Sequence, residues 1–262
     1  MNLTLDLDRY PLDQAGSEAW HALVETSRKG LQADGMFSLE GFLRPGVAEQ
    51  AAAAIRPRVA AEAYTHKRLH NIYFKPEIPE LAADHPALRK VETVNHTMCA
   101  DQIPDSVLMQ IYRYQPFIDF LAAVMGKAVL HVMDDDLASV NVMTYHAGEA
   151  LNWHFDRSEF TITLLLQAPQ GGGEFEYRSD LRTETDPNHA GVARLLEGQD
   201  PEVRRIGLSA GALNVFLGRN TAHRVTPVQG PNPRMIAVLC YYEQSGVRFT
   251  EQERLGFYGR VA

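Results

Sequence analysis

Apolar positions change their period partway along the chain. From Ser17 to Gly30, Trp20, Leu23 and Val24 recur at helical spacing, and Ser17 is suited to cap the helix start. Met36-Phe37-Ser38-Leu39 predicts a short strand. The alanine-rich run from Pro45 to Tyr64 has strong helix propensity. Pro57 should kink or divide it, because proline lacks the N–H and crowds the preceding turn. Pro76, Pro79 and Pro86 mark a loop-rich connection. Ser106 to Met125 again shows a helical apolar face, carried by Ile111, Tyr112, Phe117, Phe120, Leu121 and Val124 and interrupted at Pro116.

Beyond residue 128 the pattern turns to strands. The segments 129–132, 139–145, 160–167, 173–177, 212–217 and 235–242 are rich in β-branched and aromatic residues and separated by turn signals. Gln170-Gly171-Gly172-Gly173 predicts a tight turn or bulge, and the polar segment 180–205 an insert between strands. No repeat and no low-complexity tract interrupts this order. It predicts an α+β fold of one domain spanning 1–262. Residues 1–128 are expected to be mainly helical, serving as support and lid, and residues 129–262 to form a β-sandwich or barrel that carries the site.

Charge narrows the partners. A net charge of -8 and a pI near 5.7 leave no basic field to attract phosphates, which argues against a nucleic-acid or anionic-membrane partner. Arg204-Arg205 reads as solvated surface. The start, Met1 to Asp6, lacks the basic-then-apolar order of a signal peptide, and no apolar run approaches the ~20 residues that span a bilayer. Only Cys99 and Cys240 are present, and Cys240 sits in an apolar run as an inert core thiol. A reducing cytoplasm is the simplest expectation. The oligomeric state stays open, a homodimer included.

The candidate chemistry lies in His154-Phe155-Asp156. In a strand, residues i and i+2 point to one side, so His154 and Asp156 present an imidazole and a carboxylate together. His223 is the best third ligand. Two histidines and one carboxylate favour ferrous iron over structural zinc, which prefers four protein ligands and often sulfur. A lone His-x-Asp is a weak signal, and His154 bonded to Asp156 in a core is the plain alternative. Arg234, eleven residues after His223, can clamp a dicarboxylate through its planar fork.

Five separated elements then fall in order. They are Val142-Met143-Thr144-Tyr145 leading through Gly148 to His154-Phe155-Asp156; Phe160 to Leu166; the glycine turn with Glu174-Phe175; Gly211 to Phe216; and His223 to Val228 with Arg234 beyond. Over residues 139–243 this order resembles the Fe(II)/2-oxoglutarate dioxygenases, especially the prolyl 4-hydroxylase-like branch. The resemblance implies a double-stranded β-helix (jelly-roll, cupin-like) core. It assigns Fe(II) to His154, Asp156 and His223, and the distal carboxylate of 2-oxoglutarate to Arg234, with O2 as co-reactant. Related enzymes often place a tyrosine at the position of Tyr145, whose hydroxyl would reach the cosubstrate; a packed strand tyrosine is the alternative. Thr161 and Thr163 share a strand face and can line the same space.

Phe37 to Leu43, Asp101 to Gly126 and the Asp134–Gly148 approach are similar to a smaller group acting on free amino acids, the lysine halogenases and their hydroxylase relatives. In the halogenases a small residue replaces the carboxylate and opens a position for chloride. Here Asp156 fills it, so the resemblance implies hydroxylation of a free amino acid, lysine or another basic or polar one. A peptide or protein residue is the alternative substrate. A metal-holding sensor without turnover and a zinc hydrolase are further readings, and neither Glu159 nor Glu174 stands in a zinc-hydrolase spacing.

Substrate contacts are less legible. Arg157, next to Asp156, offers a partner for a substrate carboxylate, or for nearby Glu159. Asn220 offers a hydrogen bond beside His223. Trp153 can wall the site or simply pack. Asp136, in Asp134-Asp135-Asp136, offers a partner for an ammonium, although an acidic turn in water is the plainer reading. His70 and His96 are expected in loops of the helical first half, where polar loops can close over a site.

Overall fold

A computed structural model describes all 262 residues. Two antiparallel sheets form its framework. The larger has seven strands in the order Met36–Leu39, Leu213–Phe216, Thr161–Gln167, Arg234–Leu239, Val140–Tyr145, Val91–Met98 and Tyr64–His70. The smaller has four: Arg204–Ile206, Phe175–Arg178, Ala222–Val225 and Leu151–His154. Strands distant in sequence thus become neighbours, which brings His154 beside His223.

Alternation along the strands separates two environments. Ile162, Leu164 and Leu166 join Met235, Ala237 and Leu239 on the outer face of the large sheet. There they pack against Val24 and Leu31 of the helix Glu18–Asp34, Ile55 and Val59 of Val47–Glu62, and Phe117 and Leu121 of Gln115–Met125. The intervening residues, Thr161, Thr163, Arg234 and Tyr145, face the small sheet. The helices therefore bury the back of the sheet and leave its inner face free to carry polar groups.

The caps follow the sequence. The Ser17 side chain accepts the Trp20 N–H, and Pro116 lies in the first turn of Gln115–Met125, where a missing N–H costs nothing. Pro57 departs from expectation: Val47–Glu62 runs through it without division. Pro57 and Ala53, whose carbonyl loses its helical partner, are both exposed, so water can replace that bond.

The first half is less helical than the sequence predicts. Tyr64–His70 and Val91–Met98 pair with each other, and Val91–Met98 extends the large sheet from Val140–Tyr145. The pattern hid them because their inner-facing positions are polar. Thr93, Asn95 and Thr97 are buried, and the Thr97 hydroxyl donates to Asn95 Oδ1. Tyr64–His70 is an edge strand with exposed Lys67 and Arg68, as an unpaired edge favours. The polar insert holds a helix, His189–Leu196, whose Val192 and Leu195 pack with Ile72, Tyr73, Trp153 and Phe155. Arg205 is not merely solvated, since it pairs with Glu174 and Glu176. No helix is long and apolar enough to cross a membrane.

Candidate active site

His154 ends one strand of the small sheet, His223 pairs with it from the next, and Asp156 follows two residues after His154. One ligand atom from each lies within 4.8 Å of the others. Both histidines are buried. His154 Nδ1 lies 2.8 Å from the Asn152 carbonyl oxygen and His223 Nδ1 3.0 Å from that of Thr221. A carbonyl only accepts, so each Nδ1 carries a proton and each ring turns Nε2 inward, the atom that binds a metal. Those Nε2 atoms stand 3.2 Å from Asp156 Oδ1 and 3.4 Å from Asp156 Oδ2. At that range a cation, a proton or a metal ion, bridges nitrogen and carboxylate oxygen. Two imidazoles and one carboxylate on one side of a cation fit Fe(II) and leave its remaining positions open.

The surroundings keep these groups in metal-binding form. Burial, with the charge of the facing His223, holds His154 below the usual imidazole range. Burial alone would raise the Asp156 carboxyl, but the facing His223 and His154 hold it well below the usual carboxylate range. The Asp156 N–H donates to the Gly218 carbonyl at 3.0 Å. A Cβ on Gly218 would come 2.5 Å from both Asp156 Oδ2 and Thr161 Oγ1, so only glycine permits this approach.

The Thr161 hydroxyl donates to Asp156 Oδ2 and fixes the carboxylate's orientation. Thr161→Val should therefore weaken Fe(II) affinity about 10–100-fold, the usual effect of losing such a partner. Anaerobic Fe(II) titration measures it, and unchanged affinity would show that the threonine does not orient the ligand. Thr163, two residues along the same face, donates to the Asn214 carbonyl at 3.3 Å instead.

Arg234 starts the strand Arg234–Leu239 and is 3% exposed. No acid faces it, and burial lowers its pKa to about 10. Arg234 borders a cavity of about 90 Å³ lined also by Leu165, Gly173, Phe175 and Leu208. A buried cation without a partner is costly, so the arrangement suits an anion entering that cavity. Tyr145 is its cross-strand neighbour and also lies within charge reach of Asp156. The Tyr145 hydroxyl meets only Met143 Sδ, at 3.8 Å. Burial pushes it up to about 12, so it remains a neutral donor.

The other sequence candidates divide. His70 is buried, bonded to Thr93 Oγ1 at 2.9 Å and stacked on Phe74 at 4.4 Å; Phe74 in turn meets the His154 ring edge-on at 5.9 Å. His96 instead pairs with Glu149 at 2.9 Å and Thr65 at 3.0 Å, and has no contact with the triad. Arg157 is exposed and pairs with Glu253 rather than with Glu159, which binds Lys127. Trp153 points away from His154, as alternate strand residues must, and packs with Ile72 and Phe155 beneath Arg224. Asp136 is exposed; its buried neighbour Asp135 pairs with Arg254. Asn220 lies in the loop before His223, and its Oδ1 is buried without a donor.

Phe74 was not legible from the sequence. It holds a left-handed backbone, φ 55°, in a turn fixed by Asn71, whose Oδ1 accepts the N–H groups of Tyr73 and Lys75. A bulky residue held in that region marks a constrained position beside the site.

Residues 20–253 match the family model described as Halogenase D. No curated protein matches the sequence. Several solved structures share the fold. A 2OG-Fe(II) oxygenase family oxidoreductase from Burkholderia pseudomallei is 14% identical with a TM-score of 0.51, covering 86% of this chain and 92% of its own. A Pseudomonas putida prolyl-4-hydroxylase is 15% identical with a TM-score of 0.51, covering 83% of this chain and 98% of its own. The epimerase SnoN, solved with Fe3+, alpha ketoglutarate and nogalamycin RO, is 14% identical with a TM-score of 0.55 and covers 84% of each chain.

Proposed function

The chain belongs to the Halogenase D family, and from that premise we propose that it is an Fe(II)- and 2-oxoglutarate-dependent hydroxylase of a free amino acid. The carrying observation is Asp156. It stands where it completes a His-Asp-His ligand set, so no protein-side position is left for chloride. Bound iron and 2-oxoglutarate supply the oxidation of a C–H bond by O2, with 2-oxoglutarate leaving as succinate and CO2.

Each protein group then has a defined task. His154 and His223 give neutral Nε2 donors, and Asp156 gives the one negative charge. Arg234 takes the far carboxylate of 2-oxoglutarate in bidentate fashion, and Tyr145 offers its hydroxyl alongside. The buried ring of Phe216, 4.7 Å from His223, helps exclude water on that flank.

The acids that the sequence offered for a substrate ammonium are otherwise placed. Asp134 pairs with Arg248, Asp135 with Arg254, and Asp136 is exposed. The proposal therefore stays at a free amino acid and is not narrowed to lysine. A screen of single amino acids, read as succinate release dependent on Fe(II) and O2 and as oxygen incorporation by mass, tests it. One or more should stimulate release. Stimulation by a peptide and by no free amino acid would overturn the substrate class.

A further inference from the structure

The edge strand Tyr64–His70 turns a row of donors toward the space between the sheets. Met98 packs in the core on the far side of the large sheet, so Thr93, Asn95 and Thr97 of its strand face the small one. The register sets His66 opposite Asn95 and Arg68 opposite Thr93, and residues directly opposite share a face. The ligand strand lies close by. Thr93 Oγ1 accepts the N–H of Asn152, two residues before His154, at 3.3 Å. The Arg68 guanidinium lies 4.5 Å over the ring of Phe74, which meets the His154 ring edge-on at 5.9 Å. Asn95 stands one step beyond the His96–Thr144 pair, level with Tyr145.

Nothing in the protein answers these donors. No acid faces Arg68, and desolvation lowers its pKa even though part of the side chain is exposed. Asn95 is 4% exposed; its Oδ1 accepts the Thr97 hydroxyl, which leaves the amide N–H groups to donate elsewhere. The strands of the two sheets carry two acids, Glu92 and Glu176, and both turn away from this space. Glu92 pairs with Lys67 at 3.0 Å, and Glu176 with Arg205 and Arg224. A charge that merely guards a sheet edge needs no aromatic seat, and Lys67 serves that purpose on the other face. Arg68 differs, because a guanidinium laid on a ring is already oriented and keeps its N–H groups free for a carboxylate. The wall is bounded at its far end by the helix Glu251–Tyr258. Phe257 stacks on His66 at 6.3 Å, and Tyr258 donates to Asn141 Oδ1 at 2.8 Å, four residues before Tyr145.

We propose that Arg68 anchors a carboxylate of the substrate amino acid, with the Asn95 amide donating beside it. Arg68 and Asn95 are diagonal neighbours across their strands, close enough for a long side chain to share one ligand. The proposal rests on the free-amino-acid reading and names the wall that would hold that substrate. Arg157 is committed to Glu253. Arg182 is the competing cation, but its guanidinium lies 4.0 Å over Phe155, which alternates away from His154 and packs with Trp153 and Ala222 behind the ligand strands.

The test uses the full chain loaded with Fe(II) and 2-oxoglutarate without O2, whose charge-transfer absorption shows that each variant is folded and loaded. The proteinogenic amino acids and their carboxamides are titrated into the native protein, Arg68→Met, Arg68→Lys, Asn95→Asp and Arg182→Met. The amino acid that perturbs the band should bind Arg68→Met about 10-fold or more weakly, the effect of losing charge-assisted hydrogen bonds at a partly exposed site. Arg68→Lys should recover part of the loss, and the carboxamide should bind native protein and Arg68→Met alike. Asn95→Asp, which sets an anion beside the anchor, should weaken the acid more than its carboxamide. Equal amino-acid binding by Arg68→Met, an equal fall for acid and carboxamide, or the loss appearing in Arg182→Met instead would each overturn the anchor while leaving the substrate class standing. Native-like acid binding by Asn95→Asp would remove Asn95 from the wall. Failure of every amino acid to bind the native protein would overturn the substrate class, and this anchor with it.

Discussion

Asp156→Gly abolishes hydroxylation in a protein that still folds. Asp156 is the one carboxylate of the triad, and both histidines turn Nε2 toward it. Its loss leaves two imidazoles whose ring centres lie 4.1 Å apart and no anion to balance a divalent ion. The effect should exceed the ~10–100-fold drop that follows loss of an outer partner such as Thr161. Folding should survive, because the carboxylate is not part of the apolar core and the Asp156 backbone N–H keeps its bond to the Gly218 carbonyl. The glycine also vacates the coordination position that the carboxylate fills, so chloride gains room beside the two histidines. Circular dichroism checks the fold, anaerobic Fe(II) titration the metal, and product mass in chloride buffer the outcome. Full hydroxylase activity in the variant would remove Asp156 from the ligand set.

The site was more legible than the scaffold because its signals are local or paired. His154 and Asp156 sit two apart on a strand, and Arg234 heads an apolar run, so their spacing carries their geometry. The residues that the sequence misplaced depend on contacts from far along the chain. Arg157 finds Glu253, 96 positions away, and nothing near Arg157 announces that partner. Arg182 lies in a segment that reads as polar insert, and only the fold brings it over Phe155. The strands Tyr64–His70 and Val91–Met98 escaped for a related reason. A strand is recognised by apolar alternation, whereas Thr93, Asn95 and Thr97 bury polar side chains against partners that the sequence does not reveal.

Arg234→Ala raises the 2-oxoglutarate requirement by about 30-fold to a few thousand-fold, the range of ~2–5 kcal/mol for truncating one side of a desolvated charge pair. The size follows from the setting. Arg234 is buried, has no acidic partner, and stays charged near neutral pH even though burial draws its pKa down to about 10. Without an anion that desolvated cation opposes folding, so alanine should not lower the melting temperature of the ligand-free protein. With 2-oxoglutarate present the order should invert, since a ligand stabilises only the protein that binds it. Arg234→Lys should fall between the two, because it keeps the charge but loses the fork that meets a carboxylate with two bonds. Melting curves across a 2-oxoglutarate titration separate these cases. A variant stabilised as strongly as the native protein would place the clamp on another residue, whereas equal loss of stability with and without 2-oxoglutarate would make Arg234 a structural cation.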